Sequence, residues 1–87
     1  MSTKVWQSRV KLERIAPRSE EWVVEGYRLF LRDQEEHDEA VSWCLTSHIP
    51  CTPRSRICYG IVAGYATQDY IVIYREEDAF WVKMRWL

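Results

Sequence analysis

Apolar and polar positions alternate from Lys4 to Ile15. Trp6, Val10 and Leu12 fall on one side, and Gln7, Arg9, Lys11 and Glu13 on the other. A period of two with one polar face predicts a half-buried strand. Ala16-Pro17-Arg18-Ser19 reads as the following turn. Glu21 to Arg32 fits a strand or a helix. The Val23-Val24 pair, the interior Gly26 and the aromatic content favour the strand, so the two segments are expected to form an antiparallel hairpin.

Asp33 to His48 has the pattern of a helix. Asp33 stands at the N-cap, with Glu36 three residues on at the capping-box position. Acids crowd the first turns, where the helix dipole favours them, and Ala40, Val41, Cys44 and Leu45 form the expected core stripe. Pro50 stops the helix. Cys51 to Arg56 reads as a loop and Ile57 to Ala66 as a strand. A second helix over residues 53–65, with Pro53 in its first turn, is the alternative. Tyr70 to Arg75 is apolar on both faces and predicts a central strand. Glu76-Glu77-Asp78 reads as a turn. Ala79 to Leu87 alternates as a last strand, with Phe80, Val82, Met84 and Trp86 inward and Trp81, Lys83, Arg85 and Leu87 outward. The sum is ββαβββ, a single α+β domain over residues 1–87 in which one helix covers one face of an antiparallel sheet.

Composition narrows the function classes. Twelve Lys and Arg against thirteen Asp and Glu leave a net charge of −1, which disfavours both a polycation and a DNA-mimicking polyanion. No apolar run approaches the ~20 residues that span a bilayer. The first residues carry no apolar signal region, and three cysteines cannot close a disulfide framework, so reduced thiols in a cytoplasm are expected.

Two constellations of residues bear on chemistry. Cys44, His48, Cys51 and Cys58 lie within fifteen residues and are the ligand types that zinc prefers. The spacing lacks a Cys-x2-Cys knuckle, so the expectation is no metal and no cofactor; if zinc is present, these four residues hold it. A Cys–His pair is available as a nucleophile, but no residue is placed to orient the histidine, and no phosphate-binding, dinucleotide or zinc-protease motif occurs. The chain is therefore not expected to be an enzyme.

The second constellation is the outer sheet face. The strand alternation places Arg9, Lys11, Trp22, Arg28, Phe30, Arg32, Trp81, Lys83 and Arg85 there. Arg interleaved with aromatics suits a protein interface, because these residue types dominate binding hot spots. Trp22, Arg28, Phe30, Arg32, Trp81, Lys83 and Arg85 are the expected contacts. The reading is a small inhibitor, adaptor or accessory subunit that docks on a larger intracellular protein, of the kind phages and mobile elements carry. Single-stranded nucleic acid stacking on the same face is the alternative, and a small structural zinc module is the second. An apolar terminal strand at a sheet edge also invites strand-to-strand homodimerisation.

Overall fold

The computed structural model describes residues 3–15, 26–59 and 65–87. Five strands and two helices follow one another as β1 (Thr3–Lys4), β2 (Lys11–Arg14), β3 (Tyr27–Phe30), α1 (Gln34–Thr46), β4 (Cys51–Tyr59), β5 (Tyr65–Ile73) and α2 (Glu76–Trp86). The class is α+β, as the sequence predicts. Trp22 and the turn at residues 16–19 lie outside the described residues.

The long strand β5 organises the sheet. β4 pairs with it antiparallel along its full length, from Cys51 opposite Ile73 to Tyr59 opposite Tyr65. On its other edge two strands share the space: β3 runs antiparallel beside Ile71–Ile73, and β1 runs parallel beside Ala66 and Thr67. β2 then pairs antiparallel with β3, Lys11 opposite Phe30 and Arg14 opposite Tyr27, which is the expected hairpin. The expected continuous strand from Lys4 to Ile15 is broken, because the chain changes partner within it. Val5 donates its N–H to the Thr67 carbonyl and Gln7 to that of Leu31, so the segment crosses the end of β3 between β1 and β2.

Both helices pack on one face of the sheet. Ala40 and Cys44 of α1 and Val82 of α2 join Leu29, Leu31, Ile49, Ile71 and Ile73 in the main core. Trp43 and Trp86 meet edge to face, with ring centroids 6.2 Å apart, where the two helices adjoin. The opposite face carries a smaller cluster of Ile15, Phe30, Tyr70 and Val72, to which no helix residue belongs among the described residues. The second half of β5 contributes to both clusters through alternate residues, Ile71 and Ile73 to one and Tyr70 and Val72 to the other, which is why Tyr70–Ile73 is apolar throughout.

Helix α1 begins and ends on identifiable groups. Asp33 accepts the Glu36 N–H at 2.7 Å, the expected cap. The Glu36 carboxylate reaches back to the N–H and guanidinium of Arg32 rather than closing a box on Asp33. At the other end His48 adopts a positive φ of 57°. His48 donates its N–H to the Leu45 carbonyl and Ile49 to that of Cys44, so the helix closes in a Schellman motif with Ile49 buried beside Cys44. The core stripe is His37, Ala40 and Cys44; Leu45, expected inside, is exposed.

Three expectations are corrected. Residues 51–56 are strand rather than loop; residues 51–59 form β4, so the helix alternative over 53–65 fails where it is described. Tertiary pairing with the apolar β5 outweighs the turn signal of Pro50 and Pro53. Ala79–Leu87 is not a strand: its residues belong to α2, which closes on Leu87 as its C-cap. Glu76, Glu77 and Asp78, read as a turn, form the acidic first turn of that helix, and Lys83 and Arg85 lie in its last turn, both favourable to the dipole. The domain therefore has two helices instead of one, and the strand-edge argument for a homodimer loses its strand.

Candidate interaction surfaces

The start of α2 is fixed by an ion pair. Asp78 is buried, and its carboxylate accepts the Nε–H of Arg75 at 2.6 Å across the first turn. That contact and the burial of Ala79, Val82 and part of Trp86 settle which side of the helix faces the core. Helical spacing then turns Phe80, Trp81, Met84 and Leu87 outward along one ridge, since residues three and four apart are neighbours on a helix. They are 56%, 58%, 69% and 63% exposed, respectively. The Phe80 and Trp81 rings touch edge to face at 5.7 Å. Charges border the ridge: Glu76 and Glu77 at its N-terminal end, Lys83 and Arg85 towards its C-terminal end. Arg85 lies over the Trp86 ring, its guanidinium 4.6 Å from the centroid, and 3.6 Å from Glu39 of α1.

The helix-free sheet face is built differently. Phe30 and Tyr70 pack at 5.6 Å and are both buried. Arg56 covers them, 4.9 Å from the Phe30 centroid and 6.0 Å from that of Tyr70, while its Nε donates to Gln68. Arg28 approaches Tyr70 from the hairpin side at 5.8 Å and pairs with Glu13 at 3.5 Å. The guanidiniums thus cap the aromatic rings and exclude water from them.

The expected contact residues do not share one surface. Arg28 and Phe30 lie on the helix-free sheet face, with Phe30 only 1% exposed. Arg32 precedes α1 and is engaged with Glu36 at 2.6 Å. Trp81, Lys83 and Arg85 sit on α2. Trp22 lies outside the described residues. Sequence reasoning placed Phe80 and Met84 inside; their spacing with Leu87, at i, i+4 and i+7, was the signal that assigns all three to one helix face.

Cys44 and Cys51 meet in the main core, and burial pushes the Cys44 thiol up to about 12. Cys58 belongs to the opposite parity of β4, and its thiol points to Gln68. His48 is exposed at the end of α1. The four residues Cys44, His48, Cys51 and Cys58 therefore do not converge, and no group of potential metal ligands is found among the described residues. His37 is buried against the edge of Trp6, with centroids 6.1 Å apart, and its Nδ1 has no hydrogen-bond partner among the described residues. No helix among the described residues is long and apolar enough to cross a membrane.

No protein-family model matches the sequence, and no curated protein or solved structure shows significant similarity to it.

Proposed function

We propose that this chain is a non-enzymatic protein-binding module that docks on a larger intracellular protein through the outer face of α2, as an inhibitor, adaptor or accessory subunit would. The observation that carries this reading is the ridge of Phe80, Trp81, Met84 and Leu87, four large apolar side chains left in water on one helix. Anchors at i, i+4 and i+7 are those with which a helix enters an apolar groove. Trp81 and Arg85 are of the residue types that dominate hot spots, so Trp81, Lys83 and Arg85 stay in the proposed site. The sheet-face residues Arg28 and Phe30 leave it, because Phe30 is buried within the second cluster and Arg28 lies against its Tyr70 ring.

The non-enzymatic part of the reading is supported by Cys44 and His48. A thiol held protonated by burial is a poor nucleophile, and His48 is used to end a helix. Three free thiols suit a reducing cytoplasm. Single-stranded nucleic acid is the weaker reading. Exposed Arg54 and Arg56 on β4 offer phosphate contacts, but the rings that would stack bases lie beneath the guanidiniums.

Affinity capture from the source lysate tests the reading, with wild type, Trp81→Ala and Arg56→Ala compared. Retention of a protein by wild type and Arg56→Ala, and its loss with Trp81→Ala, is expected. Equal retention by all three would remove α2 as the docking surface.

A further inference from the structure

We infer that the occupant of the α2 ridge, in the protein on its own, is a second copy of this chain, packed antiparallel along α2 about a two-fold axis near Phe80 and Trp81. The inference rests on the reading of α2 as a docking surface and names what docks there.

Area is the first support. At the observed exposures the four ridge side chains show roughly 500 Å² to water, the scale of the largest apolar patch on an ordinary monomer. With the two-fold near Phe80 and Trp81, those rings and Met84 of each copy lie within the length of the other α2, and together with the flanking Glu76, Glu77, Lys83 and Arg85 the contact reaches roughly 1,000 Å², the lower bound of a specific interface. A self-complementary patch needs no second protein to reach that size.

The second support is the order of charges along α2. Glu76 and Glu77 flank one end of the ridge, and Lys83 and Arg85 flank the other. Antiparallel pairing lays the acidic end of each helix over the basic end of the second copy. Parallel pairing would set acid on acid and base on base. The present partners of these groups are exposed and weak: Glu77 stands 3.6 Å from Arg75, and Arg85 stands 3.6 Å from Glu39. They can exchange across a dimer at little cost. The exposed Glu76 and Glu77 of the first turn also oppose the approach of an anionic lipid surface, the other apolar environment such a helix can seek.

Light scattering on the purified chain reads the result, with circular dichroism confirming that each variant is folded. Wild type is expected to pass from close to the mass of one chain at about 1 µM to close to twice that mass at about 100 µM, as a dissociation constant of about 10 µM requires. Met84→Glu and Trp81→Ala alter side chains that are mostly in water, so folding is kept while doubling is lost. The pair E76K/E77K and the pair K83E/R85E are each expected to stay at one chain alone and to double when mixed. A wild type of single mass throughout, doubling by Met84→Glu, a mixture that stays single, or a monomer that sediments with anionic vesicles would each overturn the inference. The two readings fail separately: a monomer whose Trp81→Ala variant loses a captured protein sinks self-pairing alone, whereas a dimer whose ridge variants capture the same proteins as wild type sinks the docking of a larger partner alone.

Discussion

The N–H of Ile49 donates to the carbonyl oxygen of Cys44 at 2.8 Å, and the two side chains share the main core. This bond closes α1 and turns the chain into β4, and it requires His48 between them to take a left-handed backbone. A side chain with Cβ is strained there, and glycine is not. We expect His48→Gly to raise stability by about 0.5–1 kcal/mol in urea denaturation. A loss of stability would mean that the imidazole does something beyond ending the helix.

Gly26 makes the converse case. Its φ is +146°, and a Cβ at this position would lie 2.7 Å from the carbonyl oxygen of Ile73. The close approach lets Gly26 accept the Ile15 N–H at 2.9 Å where the hairpin meets β5. Gly26→Ala is expected to cost about 1–3 kcal/mol from backbone strain alone, measured as a fall in the denaturation midpoint. A midpoint equal to that of wild type would contradict the close packing of β3 against β5.

His37 gives stability a dependence on pH. Burial lowers its pKa below the ordinary histidine value, against the pull of Asp69 and Asp38 and together with the push of Lys4. The unfolded chain therefore takes up a proton before the folded chain does. Stability is independent of this group at high pH and declines as pH falls from about 6.5 through the lowered pKa. Denaturation midpoints taken between about pH 7 and pH 5 should fall for wild type and stay nearly level for His37→Leu. Equal slopes would place the cause elsewhere.

Helix α1 was legible because Asp33 and the acids after it are local signals that the tertiary structure leaves in place. The second half of strand β5 was legible because Tyr70–Ile73 is buried on both faces, whereas its first half, Tyr65–Asp69, carries polar residues and does not read as one strand with it. The last element was not, for a physical reason. Phe80, Val82, Met84 and Trp86 fit a period of two, while Ala79, Val82 and Trp86 fit a helix, and nine residues are too few to separate these periods. The deciding signal was Glu76-Glu77-Asp78, a helix start that resembles a polar turn. The same ambiguity extends to the candidate site: a strand over residues 79–87 places Trp81, Lys83 and Arg85 on the sheet and turns Phe80 and Met84 inward, whereas the helix turns Phe80 and Met84 out beside Trp81. The role of Arg56 above Phe30 was invisible because it depends on which strand lies beside β5.

The most direct measurement compares Val82→Ala with Met84→Ala by chemical denaturation, at about 0.1 µM so that any micromolar self-association is largely dissociated. As a helix, α2 buries Val82 completely and leaves Met84 69% exposed. Val82→Ala is then expected to cost about 1–3 kcal/mol through lost burial and the cavity left behind, and Met84→Ala to stay within about 0.5 kcal/mol of wild type. As a strand, residues 82 and 84 would face the core together, and similar losses at both would contradict the helix, its outward ridge and the docking surface built on it.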